Sequence, residues 1–153
     1  PEQLLICIGP GAGRRNVARR LAGLGVADDR YATFVASSAR IGLTSAIGVG
    51  SILLDGVVVT ADAELERHVV IMPNCTITHD NVLEEFATLA AGVSIAGGVR
   101  VGAGAYIGMN ASVRQGLRIG SDATVGMGAV VLGDIPDAQR WAGVPARKVG
   151  VSE

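Results

Sequence analysis

Residues 93–131 read VSIAGGVRVGAGAYIGMNASVRQGLRIGSDATVGMGAVV, and every sixth position from Ile95 is aliphatic: Ile95, Val101, Ile107, Val113, Ile119, Val125 and Val131. Followed back toward the N-terminus, the register continues without a slip through Leu89, Leu83, Ile77, Ile71, Leu65, Val59, Leu53, Ile47 and Ile41. With apolar residues at 49% of positions, sixteen successive hits have a chance of about 10⁻⁵. The chain is therefore a repeat of period six.

Two positions before most of these aliphatics stands a small or β-branched residue, from Ala39, Ser45 and Ser51 to Ala123 and Ala129, with Asn81 and Leu117 as exceptions. One position after them glycine recurs at Gly42, Gly48, Gly102, Gly108, Gly120 and Gly126, where a turn with positive φ is expected. Six residues of α-helix advance about 600°, so a helix would scatter the pattern around its surface. Short strands joined by turns keep it on one side. Three such sides close a coil of about 18 residues, and stacked coils bury continuous aliphatic columns, which predicts a parallel β-helix of about five coils.

The flanks differ. Residues 4–8 form an apolar run ending at Gly9-Pro10-Gly11-Ala12-Gly13, and residues 14–24 have helical composition before Gly25, together one βα unit. The glycine cluster matches no phosphate-binding GxxxxGK[ST] motif. Pro1 before the strand reads as a trimmed start. After Val131 the rhythm breaks at Gly133-Asp134-Ile135-Pro136-Asp137, and the tail with Gly143-Val144-Pro145-Ala146-Arg147-Lys148 is expected to cap the solenoid. The expected organisation is a βα unit over 1–33, a solenoid over 34–133 and a capping segment over 134–153.

A net charge of −1 and five aromatic residues leave neither the basic field nor the stacking surface that nucleic acid requires. No apolar run spans a bilayer, and Pro1-Glu2 does not open a signal sequence. Cys7 and Cys75 fit no CxxC or zinc spacing, which predicts two buried, reduced thiols in a cytoplasmic protein.

Polar residues that interrupt the pattern are the candidates for chemistry. Ile77-Thr78-His79-Asp80-Asn81 sets an imidazole beside a carboxylate, which can fix its tautomer and raise its basicity. A solvated surface pair is the alternative. His68, between Arg67 and Val69 and after Glu66, reads as a solvated turn, as do Glu84 and Glu85 one hexad past His79, with a part in shaping a substrate pocket as the alternative for the two glutamates. Two histidines without a third cannot build a three-His zinc shell, so no metal is expected.

With the hexads and this segment in hand, THDNVLEEFATLAAGVSIAGGVRVGAGAYIGMNASV, IGSDATVGMGAVV and GVPAR resemble the bacterial hexapeptide-repeat sugar acetyltransferases. The resemblance is to the branch of sialic acid O-acetyltransferases and nucleotide-linked amino-sugar N-acetyltransferases, and it covers residues 4–148. It implies a left-handed parallel β-helix, a homotrimer with active sites between subunits, acetyl-CoA as co-substrate, and a sugar or nucleotide-sugar acceptor. It carries the general base to His79 and its acidic helper to Asp80. The oxyanion donor falls on Gly97, 18 residues later and so one full coil on from His79 on the same side. It further implies acetyl contact at Thr88, coenzyme A contacts at Met109, Gly126, Met127, Gly128, Arg147 and Lys148, and acceptor contacts at Gly9 and Asn74. The N-terminal βα unit matches the last part of the family's sugar-nucleotide-binding domain. Two residues depart from the pattern: relatives often carry His where this chain has Thr88, and Asn where it has Met72. An acyltransferase for another small amine or alcohol and a non-catalytic solenoid scaffold are the competing readings.

Overall fold

A computed structural model describes residues 2–150; Pro1 and residues 151–153, the end of the expected capping segment, lie outside the described residues. The hexads form a three-sided parallel β-solenoid of about six turns. The first face carries Phe34–Val35, Ile52–Leu53, Val70–Ile71, Thr88–Leu89, Tyr106–Ile107 and Thr124–Val125, each parallel to the next. The second face runs from Arg40–Ile41 to Val130–Val131, and the third from Ala46–Ile47 to Arg118–Ile119. Each residue pairs with the one 18 positions on, as Leu89 does with Ile107 and Ile77 with Ile95. The two-residue strands are short because each must stop at a turn every six residues.

Both inward columns of the sequence are the core. Leu53, Ile71, Leu89, Ile107 and Val125 stack under the first face, Ile77, Ile95, Val113 and Val131 under the second, and Leu65, Leu83, Val101 and Ile119 under the third, with Cys75, Ala87, Ala105, Ala111 and Ala123 between them. Each buried large aliphatic contributes roughly 1.5–3 kcal/mol, and the columns make that burial continuous.

The glycines after the aliphatics do not have positive φ. Left-handed backbone falls two residues later, at Gly50, Gly98 and Gly128 but also at Asp62, His68, Asn74, Asp80, Phe86 and Asn110. The first glycine column answers to space instead: a Cβ on Gly108 would sit 2.6 Å from Met127 N, and one on Gly102 2.5 Å from Ser121 N. Coil-to-coil approach, rather than torsion, selects glycine there.

The solenoid also exceeds the sequence count at both ends. Val35 pairs with Leu53, one hexad before Ile41. Beyond Val131, Ile135 bridges Ile119 and Trp141 pairs with Val125, each 16 residues on. The break at residues 133–137 is thus a two-residue shortening of a coil that still stacks. Arg140–Ala142 then pairs antiparallel with Arg147–Lys148 at the edge of the first face.

In the N-terminal segment, residues 4–8 make one parallel bridge among the described residues, Leu4 to Tyr31. The rest of that run lies over the outward side of the first face, where Leu5, Cys7, Ile8 and Gly9 share a groove with Phe34, Ile52, Val70 and Met72. With no second strand beside it, this stretch has packing but little sheet. Helix α1 (Gly11–Gly23) begins three residues before its expected start. Gly11 sits against Phe86 O and 3.4 Å, measured from an added Cβ, from Gly104 Cα, so this glycine lets the helix approach the solenoid. Cys75 is buried and Cys7 is exposed, which corrects the expectation of two buried thiols. No helix among the described residues is long and apolar enough to cross a membrane.

Candidate active site

The turn over residues 78–81 joins the second face to the third. Asp80 takes φ 58° there, a conformation that a short polar side chain tolerates. That backbone turns the carboxylate toward its neighbour: His79 Nδ1 and Asp80 Oδ2 are 2.6 Å apart. With Nδ1–H donating to the carboxylate, Nε2 is left with its lone pair. Both side chains are open, at 65% and 63% exposure.

One coil on, Gly97 lies under this ring. A Cβ at Gly97 would meet His79 Nε2 at 2.5 Å and Nδ1 at 3.1 Å, so only glycine allows the imidazole to rest where it does. The Gly97 carbonyl accepts from Gly116 N–H at 2.9 Å, whereas the Gly97 N–H has no partner among the described residues. A shallow pocket collects Thr78, His79, Asp80, Gly97, Gln115 and Gly116. Base, orienting carboxylate and free backbone donor therefore share one edge of the prism.

Two residues of this neighbourhood escaped the sequence reading. Gln115 occupies the next coil in the same column as His79 and Gly97; its 36-residue distance from His79 was the available signal. Asn81 is fully buried, and its signal was its place as a polar exception in the small-residue column.

The other residues implied by resemblance stand elsewhere. Asn74, Met109, Gly126, Met127 and Gly128 occupy the edge between the first and second faces, with Met109 and Met127 exposed. Arg147 and Lys148 are exposed on the antiparallel strand at the C-terminal end of the first face. Gly9 lies in the groove over the first face. Thr88 is fully buried: its hydroxyl accepts from Arg14 Nη2 at 2.9 Å and lies 3.4 Å from Gly9 O, so it is committed within the chain rather than offered to an acetyl group.

His68 is a correction. It is fully buried rather than solvated, stacked on Phe86 at 5.0 Å and edge-on to Tyr31 at 4.6 Å. Helix α1 has covered this edge between the third and first faces. Both ring nitrogens lack a partner among the described residues, and burial, followed by the field of Arg67, pushes the imidazole pKa down. Glu84 and Glu85 are likewise engaged: Glu84 with Arg100 at 2.6 Å and Ala103 N–H at 2.9 Å, Glu85 with Arg67 at 2.7 Å. No group of three or more His, Cys, Asp or Glu residues is arranged to hold a metal ion among the described residues.

A six-residue solenoid with an imidazole and a carboxylate exposed on one edge defines a hexapeptide-repeat transferase, and residues 98–133 match the family described as bacterial transferase hexapeptide (six repeats). Among solved structures, the acetyltransferase domain of PglB from Neisseria gonorrhoeae, in complex with acetyl coenzyme A, is 31% identical with a TM-score of 0.90, over 96% of this chain and 70% of that one. A histidine-to-alanine variant of GDP-perosamine N-acetyl transferase from Caulobacter crescentus, in complex with CoA and GDP-perosamine, is 30% identical with a TM-score of 0.92, over 97% and 70%. WeeI from Acinetobacter baumannii is 28% identical with a TM-score of 0.89, over 95% and 69%. No curated protein matches the sequence. The chain belongs to the bacterial hexapeptide-repeat sugar acetyltransferases.

Proposed function

We propose that this protein transfers the acetyl group of acetyl-CoA to an amine or hydroxyl of a sugar or nucleotide-linked sugar, with His79 as general base. The observation that carries the proposal is the His79–Asp80 pair at 2.6 Å resting on Gly97. His79 Nε2 takes the proton from the acceptor as it attacks the thioester carbonyl. Asp80 holds the tautomer and balances the imidazolium that forms, and the Gly97 N–H donates to the tetrahedral oxyanion. Collapse of that intermediate expels the coenzyme A thiolate, which takes up a proton. Similar structures support the choice of substrates, since the Caulobacter relative binds CoA and GDP-perosamine.

The same reading places coenzyme A along Met109, Gly126, Met127 and Gly128, with its phosphates toward Arg147 and Lys148, and the acceptor toward Gly9 and Asn74. Within one chain those residues lie on a different edge or face from His79. Sites formed between adjacent copies of a homotrimer bring the two sets together. The test is thiol release from acetyl-CoA across amino sugars and nucleotide-linked amino and hydroxyl sugars. Turnover with one of them is expected, and His79→Ala should lower it by about 10²-fold or more at nearly unchanged coenzyme A affinity. Activity preserved in that variant removes His79 as the base.

A further inference from the structure

Most turns of this solenoid close through the backbone. In the turns over 84–87, 102–105 and 108–111, the N–H of the last residue donates to the carbonyl of the first, as Ala105 N does to Gly102 O at 3.1 Å. The turn over 78–81 is closed by a side chain instead: Asn81 Nδ2 donates to Thr78 O at 3.0 Å. One coil on, Val99 N–H, which ends the turn carrying Gly97, donates to Asn81 Oδ1 at 2.8 Å. A single buried amide thus closes the turn of the base and receives the closing N–H of the turn beneath it.

The same column shows what another polar residue does. Ser51 Oγ accepts from Val69 N at 3.0 Å and donates to Glu66 O at 3.0 Å, and Ser45 makes the equivalent pair with Ala63 N and Thr60 O. Both serines link one coil to the next. Asn81 keeps the acceptor half of that link and turns its donor half back on its own turn. Its longer side chain reaches the Thr78 carbonyl, and fixing residue 78 limits the backbone freedom of His79 and Asp80.

We propose that Asn81 is a positioning residue for acetyl transfer, holding the His79–Asp80 turn in register with the Gly97 turn; the proposal rests on the reading of His79 as the base. An amide in this place tunes catalysis through geometry alone, because a fully buried side chain touches no substrate.

Asn81→Ser separates positioning from folding, since the hydroxyl can take the coil-to-coil link that Ser45 and Ser51 make while releasing Thr78. The chain has two histidines, so ring-nitrogen NMR of histidine-labelled protein reads His79 directly, with buried His68 as internal control. In Asn81→Ser the His79 signals are expected to move from a single Nδ1–H tautomer toward a tautomeric average while those of His68 stay in place. With the acceptor turned over in the thiol-release assay, kcat should fall about tenfold with KM for acetyl-CoA and the melting temperature unchanged. Unmoved His79 signals overturn the proposal, as does a fall in kcat that tracks lost coenzyme A affinity and lost thermal stability. Retained activity in His79→Ala overturns the base assignment instead, and the NMR comparison tells the two failures apart.

Discussion

At the scale of single residues, the contact between His79 and Gly97 makes an unusually separable prediction. Gly97→Ala would put a Cβ 2.5 Å from His79 Nε2, and the exposed imidazole would swing away rather than the backbone yield. Activity should fall by about 10²-fold while the urea midpoint stays within error, because the displaced ring contributes little burial. Steady-state assay and denaturation of the same sample check both halves. His68 behaves in the opposite way, through stability alone. Its pKa is held below the ordinary 6.5, mainly by burial, so below that pH the unfolded chain takes a proton that the folded chain refuses. Stability from this group is complete above 6.5 and is lost as pH falls toward the lowered value, with a slope of up to about 1.4 kcal/mol per pH unit. His68→Phe should flatten that slope between pH 7.5 and 5 and add about 1 kcal/mol at neutral pH by removing two unpartnered nitrogens. Phe86, one coil on, already carries a phenyl ring at φ 62°. Urea titrations across that pH range give the comparison.

At the scale of elements, helix α1 depends on one buried cation. Arg14 is fully buried without a carboxylate partner among the described residues, and burial lowers its pKa to about 10, so it remains charged at neutral pH. It donates to His68 O at 3.0 Å, Ile8 O at 2.9 Å, Gly9 O, Phe86 O and Ala87 O at 3.0 Å, and Thr88 Oγ1 at 2.9 Å. Acceptors from two coils and the N-terminal run are thereby gathered on one guanidinium carried by the helix. Arg14→Leu should cost about 3 kcal/mol by stranding several of these acceptors, and the released helix should be cut by trypsin at Arg15, Arg19 and Arg20. Protease-resistant wild-type protein beside a nicked but otherwise intact solenoid is the expected gel pattern. None of this was legible in the sequence: Arg14 is one of four arginines in a short helical stretch, and only the docking of α1 distinguishes it from its solvated neighbours. His68 was misread for the same reason, since a turn residue is solvated unless a distant element covers it. The hexads, by contrast, declare themselves because each buried position repeats every six residues, and His79 with Asp80 stood out against that regularity.

At the scale of the molecule, the distribution of groups around the prism becomes the argument. His79, Asp80 and Gly97 occupy one edge, and Asn74, Met109, Met127 and Gly128 another, with the whole second face between them. Columns 18 residues apart allow a site to be read along an edge from sequence, but nothing in the sequence tells which edge of one chain meets which edge of the next. If adjacent copies complete each site, two inactive variants should rescue each other. His79→Ala lacks the base, and Met127→Glu places a carboxylate on the edge proposed for coenzyme A, where Met127 is 73% exposed. Each variant alone should be at least about 10²-fold impaired. After co-refolding in equal amounts, a site is intact only where the base edge comes from the Met127→Glu chain and the coenzyme A edge from the His79→Ala chain. For a cyclic trimer with one base edge and one coenzyme A edge per site, random assortment makes that about one site in four. Recovery to roughly a quarter of wild-type turnover is the expected result. Recovery near zero in mixed oligomers would mean that each chain builds its site alone, and coenzyme A would then have to reach His79 across the second face of a single solenoid.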